Sequence, residues 1–259
     1  MTTYEAVILD VDGTIVRGER LLPGAPDGLR AIDDAGCGRL LFSNNPTRGA
    51  AHYGERLAAH GVDVDPRYVL TSATVTAEYL AQTHPDDPIY LVGEPRLRGI
   101  LEAASLHLTD DPHEATVVVG SIDRDLTYAD LEAALPALEA ADAFYGTDPD
   151  VTIPTTDGMS PGSGAILASL EAMAGRELDA ILGKPSGVAA NAALDRLGTP
   201  ADRTLIVGDR LNTDVELGRR VGMGTALVTT GVMGREDVDA ADHEPTYVID
   251  SLAELDELL

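Results

Sequence analysis

The feature that most constrains this chain is a repeated grammar: a short apolar run, a polar or glycine stop, then a stretch with helical spacing. Ala6-Val7-Ile8-Leu9 stops at Asp10, Arg39 to Phe42 stops at Ser43, and Leu205-Ile206-Val207-Gly208 stops at Asp209. Helical spacing is expected at Ala25 to Ala35, Pro46 to His60, Gly187 to Leu197 and Thr213 to Val221, with a further strand at Thr225 to Val228. Gly36 and Gly61 stand where a helix commonly ends in the left-handed conformation. Strands that are apolar throughout are buried on both faces, and alternation with helices supplies the covering layers. The expected fold class is α/β, a doubly wound, Rossmann-like parallel sheet.

The middle of the chain reads as a second αβ unit. Ile89 to Val92 and Val117 to Val119 are strand-like, followed by helical stretches at Pro95 to Ala104 and Tyr128 to Ala141. Ala143 to Gly146 and Gly164 to Ala174 are expected as another strand and helix. The segments Thr147-Asp148-Pro149 and Ser160-Pro161-Gly162-Ser163-Gly164 are expected as loops.

Composition narrows the function. Hydrophobic residues make up 44% of the 259, enough for a packed core. No apolar run approaches the roughly 18 residues of a membrane-spanning helix. The opening MTTYEAVILD lacks a basic region and does not read as a signal peptide. The single Cys37 cannot form an internal disulfide, so a cytoplasmic location is expected, with Cys37 a small residue entering a strand. The histidines, at 52, 60, 84, 107, 113 and 243, show no zinc-ligand spacing.

There are 44 acidic residues against 18 basic ones, a net charge of −26. Nucleic acid polymers and anionic membranes are recognised by basic surfaces, so neither is an expected partner. The acids are scattered, which suits a solvated surface in a high-salt cytoplasm, where the Debye length falls to about 3 Å at 1 M. Of the basic residues, 17 are arginine and one, Lys184, is lysine. A lone lysine in such a chain suggests a position that guanidinium does not fill.

Four segments bring polar residues to the carboxyl ends of strands, where open parallel sheets bind ligands. They are Asp10-Val11-Asp12-Gly13-Thr14, Ser43-Asn44-Asn45, Gly183-Lys184-Pro185 and Gly208-Asp209 through Asp214. Phosphoryl transfer needs such a set: an in-line nucleophile, a cation, donors for the equatorial oxygens and an acid for the leaving oxygen. Asp10 is a candidate nucleophile. Strand periodicity would put Asp12 on the same side, so the turn at Gly13 must re-aim it toward the leaving group. Asp10, Asp209 and Asp214 could supply carboxylates to magnesium, whose ligand oxygens lie at about 2.1 Å. Ser43 and the amides near Asn44 are donors before a helix N-terminus, and Lys184 is a compact charge for phosphate. Each has a plainer reading: Asp10 as a turn residue, Ser43 to Asn45 as a helix cap, Asp209 and Asp214 as acids at a helix start.

Taken together, these motifs resemble the haloacid dehalogenase-like (HAD) superfamily of aspartate-nucleophile phosphatases. The resemblance makes Asp10 the nucleophile and Asp12 the general acid/base. Gly13, Thr14, Ser43, Asn44 and Lys184 become phosphate-binding. Magnesium would be held by the Asp10 carboxylate, the Asp12 carbonyl and Asp209, with Asp214 supporting. Only 28 residues separate Thr14 from Ser43, too few for a cap, whereas 140 separate Ser43 from Lys184. That is the type-C2 arrangement: a core of 1–78 and 180–259 with an inserted αβ cap at 79–179. Ser43-Asn44-Asn45, Val119 to Arg124 and Gly158 to Gly164 look like the NagD / 4-nitrophenylphosphatase subfamily (HAD-IIA). The chain departs from the pattern at Asp148, where Asn is expected, and at Asn212, where an acid is common.

The resemblance implies hydrolysis of small phosphate monoesters, such as nucleotide, sugar, glycolate or glycerol phosphates, and allows a homodimer through the cap. Asp123, Arg124 and Asp148 are candidate substrate contacts, although each taken alone reads as a surface residue. The alternatives are a phosphotransferase or phosphomutase and a non-catalytic phosphate-binding protein. Asp12 argues against a dehalogenase, the cap position against a mutase, and the retained Asp10 and Lys184 against a binding protein.

Overall fold

A computed structural model describes residues 4–155, 158–239, 241 and 243–259. The chain forms two compact units, one of Met1–Ser43, Ala50–Leu70 and Ala189–Leu259, the other of Asn44–Gly49 and Thr71–Val188.

The first unit is built on a six-stranded sheet in the order Tyr247–Ile249, Gly224–Val228, Thr204–Gly208, Ala6–Leu9, Gly38–Ser43, Val69–Thr71. The pairings from the first of these through Gly38–Ser43 are parallel. Ala6–Leu9 is central and buried along its whole length, as its continuous apolar run requires. Val7, Leu9, Leu41, Leu205 and Val207 share a core with Leu29, Ile32, Tyr53 and Leu57 from the helices Ala25–Asp34 and Ala50–Ala58. Each such aliphatic side chain contributes about 1.5–3 kcal/mol by its burial. The register pairs Leu9 with Val207 on one side and Leu41 on the other. Asp10, Asp209 and Ser43 therefore emerge at the same edge of the sheet.

Two helix starts differ from expectation. The helix expected from Pro46 begins at Ala50; ahead of it, Asn45 Oδ1 accepts from Thr47 N (2.8 Å) and from the Thr47 hydroxyl (3.1 Å). The helix expected from Thr213 begins at Glu216, preceded by a wide π-type turn at Leu211–Val215. The short edge strands Val69–Thr71 and Tyr247–Ile249 add to the sheet beyond the expected ones.

The second unit carries a four-stranded parallel sheet in the order Ala180–Ile181, Ala143–Gly146, Val117–Gly120, Ile89–Val92. Its side chains alternate. Val117, Val119 and Tyr145 face a cluster with Ala73, Leu80 and Leu97, while Val118 and Phe144 face one with Leu138, Ile166 and Leu170. Helices therefore cover both faces of this sheet too. Helix Ser72–Thr83 contributes Ala73, Ala77 and Leu80 to the first of these clusters. Where Ser160 to Gly164 was expected as a loop, Gly158–Pro161 pairs antiparallel with Thr152–Thr155. An isolated two-stranded ribbon is all edge, which is why it tolerates Pro154 and Pro161. Among the described residues, no helix is long and apolar enough to cross a membrane.

Candidate active site

Asp10 is one residue past Leu9, and its N–H still donates to Val207 O at 2.9 Å. The backbone of the proposed nucleophile is thus fixed by the sheet ladder itself. The Thr14 hydroxyl donates to Asp10 Oδ2 at 3.3 Å. Asp209 Oδ2 accepts from Val232 N at 2.8 Å. Asp214 Oδ2 accepts from Arg210 N at 3.2 Å across the wide turn.

One carboxylate oxygen from each of Asp10, Asp209 and Asp214 lies within 4.8 Å of the others. The three residues are 8%, 1% and 1% exposed. Like charges so close and so buried repel, and an all-oxygen set of this kind fits magnesium in its donor chemistry.

Space for this cluster comes from glycine. Gly13 has φ +100, and a Cβ there would stand 2.3 Å from Asp209 Oδ2. A Cβ at Gly231 would stand 1.9 Å from the same oxygen. The Thr230 hydroxyl donates to Gly13 O at 2.8 Å, tying the two turns together. Thr230 to Val232 was not among the sequence candidates: Val232 acts through its backbone N–H and Gly231 by lacking a side chain, and a lone Thr230 after a strand carries no distinctive signature.

Asp12 stands two residues past Asp10 and just before Gly13, and its side chain is 50% exposed. Arg56 Nη1 donates to its Oδ1 at 2.9 Å, and the Tyr53 hydroxyl donates to its Oδ2 at 3.4 Å. The same Tyr53 oxygen lies 2.8 Å from Ser43 Oγ. Burial pushes the Tyr53 hydroxyl well above the usual tyrosine range, with Asp12 adding to the effect, so it stays protonated. Tyr53 and Arg56 were also missed in the sequence, where they read as ordinary positions of an amphipathic helix.

In the second unit, Lys184 N donates to Asn44 Oδ1 at 2.8 Å and Asn44 Nδ2 donates to Lys184 O at 3.0 Å. The Asn44 carboxamide therefore clamps the backbone that carries Lys184. Lys184 is buried, a rare state for lysine. Asp123 is half-buried, with its Oδ1 accepting from Asp125 N at 3.0 Å. Arg124 is exposed and paired with Glu94.

Asp148 is not a surface residue, contrary to the sequence reading: it is 2% exposed. Its Oδ2 accepts from the hydroxyls of Ser163 (2.5 Å) and Thr147 (3.1 Å), and its Oδ1 from Asp150 N (3.3 Å). Burial pushes its carboxyl up to about 7, with the Ser163 hydroxyl pulling the other way. A folded-state value above the unfolded 3.8 means the native state holds the proton more tightly. The stability from neutral Asp148 is full below pH ~4 and lost as pH rises through ~7. Asp148→Asn, which cannot ionise, should melt close to wild type at pH 4 but about 5 °C higher at pH 8. Equal melting differences at the two pH values would contradict this.

Comparison with known proteins adds to this geometry. Residues 7–107 match the family model described as haloacid dehalogenase-like hydrolase, and residues 181–255 match the related HAD-hydrolase-like model. An acid sugar phosphatase of Staphylococcus epidermidis is 34% identical over 247 residues, 95% of each chain. The chain belongs to the haloacid dehalogenase-like hydrolases. The 5'-nucleotidase YutF of Bacillus subtilis is 33% identical over 254 residues, 98% of each chain. The crystal structure of a 4-nitrophenylphosphatase from Thermotoga maritima aligns with a TM-score of 0.91 at 35% identity, covering 98% of this chain and 97% of that one. The α/β fold is thus that of the HAD hydrolases. The first matched segment contains Asp10 to Asn44, and the second contains Lys184, Asp209 and Asp214.

Proposed function

We propose that this HAD-like hydrolase is a magnesium-dependent phosphatase of small phosphate monoesters, working through an aspartyl-phosphate on Asp10. The observation that carries the reading is the buried cluster of Asp10, Asp209 and Asp214 at the carboxyl edge of the sheet, with Asp12 two residues on. The names of the relatives, a sugar phosphatase, a nucleotidase and a 4-nitrophenylphosphatase, support it.

An Asp10 oxygen attacks phosphorus as the ester P–O bond breaks, and Asp12 gives its proton to the leaving oxygen. The Asp12 carboxylate then takes a proton from water, whose oxygen attacks the same phosphorus. The acyl-phosphate bond breaks and inorganic phosphate leaves with Asp10 restored. Thr14, Gly13, Ser43, Asn44 and Lys184 are assigned to the phosphate oxygens and their surroundings. Magnesium, when bound by Asp10, Asp209 and the Asp12 carbonyl with Asp214 in support, supplies positive charge to those oxygens. Residues 79–179 are assigned the substrate-selecting cap, with half-buried Asp123 and exposed Arg124 as its contacts, and the cap as the surface for a homodimer.

The acidic composition suits a cytoplasm of molar salt, where self-repulsion is screened. A panel of nucleotide, sugar, glycolate and glycerol phosphates plus 4-nitrophenyl phosphate, assayed with magnesium in dilute and molar KCl, tests both statements. Phosphate should be released from 4-nitrophenyl phosphate and at least one natural monoester, faster in molar salt. No release from any of them would overturn the phosphatase reading. Highest activity and melting temperature in dilute buffer would overturn the salt assignment.

A further inference from the structure

We infer that Arg56 and Tyr53 are positioning residues that hold the Asp12 carboxylate in one orientation, each addressing one of its oxygens from the same helix face. The inference rests on the reading of Asp12 as general acid.

The two residues are three apart on helix Ala50–Ala58 and so share a face. Tyr53 and Leu57 are buried in the core of the first unit, which fixes the helix as a platform. The Arg56 side chain is only 11% exposed. Its Nη1 reaches Asp12 Oδ1 at 2.9 Å, while its Nη2 bonds Gly18 O. Gly18 is the turn between the paired strands Val16–Arg17 and Arg20–Leu21, which follow the Asp10–Thr14 segment. One planar guanidinium thus ties Asp12 and the hairpin after it to a helix more than thirty residues away in sequence, a task its rigid fork suits. The Tyr53 hydroxyl stands 3.4 Å from Asp12 Oδ2 and 2.8 Å from Ser43 Oγ. With Ser43 donating to Tyr53, the phenolic proton is directed to Asp12.

Stability does not account for this arrangement. With Asp12 half exposed, an ion pair there adds little to folding. Its consequence is orientational: an unheld aspartate samples several rotamers, and a proton donor is effective only when aimed.

The test exploits leaving groups. 4-Nitrophenolate departs with little proton assistance, whereas the alkoxide of glycerol phosphate needs a proton from the acid. Holoenzyme kcat/KM should be measured with both substrates for wild type, Arg56→Ala, Arg56→Lys, Tyr53→Phe, Asp12→Ala and the Asp12→Ala/Arg56→Ala double variant. Arg56→Ala should lose about 30-fold or more on glycerol phosphate, within the 10²–10⁴ range of acid–base catalysis or just short of it, and about threefold on the aryl ester. Tyr53→Phe should show the same bias more weakly, and Arg56→Lys should recover part of the alkyl rate. In the Asp12→Ala background, Arg56→Ala should cost almost nothing further, since the group it aims is gone. Equal losses on both esters, or full additivity in the double variant, would overturn the positioning role. If Asp12→Ala itself loses equally on both esters, the acid assignment fails and the inference falls with it. An Asp12→Ala loss biased to the alkyl ester beside an unbiased Arg56→Ala loss isolates the fault in the inference. Melting temperatures of all variants identify any that are misfolded, and the double-variant comparison remains decisive if Arg56→Ala alone is destabilised.

Discussion

Asp10→Asn should lower kcat for 4-nitrophenyl phosphate by at least about 10⁴-fold, because an amide oxygen is a poor nucleophile and the remaining groups only bind and orient. The substitution keeps the size of the side chain and the backbone bond to Val207 O. It also removes one of three closely spaced negative charges. Metal-free Asp10→Asn should therefore melt no lower than wild type, which separates loss of chemistry from loss of fold. Turnover within tenfold of wild type would contradict the nucleophile assignment, as would a large fall in melting temperature that accounts for the lost rate.

The second large effect is on metal. Excess chelator should reduce wild-type activity below about 1%, since the charge supplied to the phosphate oxygens is worth several kcal/mol of barrier. Added magnesium should restore it. Magnesium should also raise the melting temperature of the wild type by several degrees at about 100 times its dissociation constant, through roughly 2.7 kcal/mol of linkage. In Asp209→Asn the thermal shift should nearly vanish and the magnesium needed for half-maximal rate should rise by at least about tenfold, because one charged ligand is lost. Full activity in chelator, or an undiminished thermal shift in Asp209→Asn, would reject the cluster as the metal site.

The sheet and the acidic cluster were legible because parallel strands buried on both faces are written as unbroken apolar runs. Asp10 and Asp209 stand directly at the ends of such runs, and their relation follows once the strands pair in register. The partners of those residues were less legible. Arg56 and Tyr53 reach Asp12 across more than forty positions, and helical spacing alone does not say which polar residue faces a site. The Val232 amide reaches Asp209 through backbone, for which any residue but proline serves. Asp148 was misjudged because a Thr-Asp-Pro-Asp segment looks like solvent-exposed turn chemistry, and only the folded unit brings Ser163 over it to share its burial. The strands Tyr247–Ile249 and Val69–Thr71 are too short for a period to register. The paired strands Thr152–Thr155 and Gly158–Pro161 carry prolines that argue against a central strand but not against an edge.

The central claim is covalent: the phosphoryl group passes through Asp10. Asp12→Ala with magnesium and 4-nitrophenyl phosphate should still form the phosphoenzyme, since that leaving group needs little acid, yet hydrolyse it slowly for want of a base. After acid quench, mass analysis of the peptide spanning Val7 to Arg17 should show one added phosphoryl group on Asp10, released by hydroxylamine. No covalent phosphate during turnover, or phosphate on any other residue, would contradict the account.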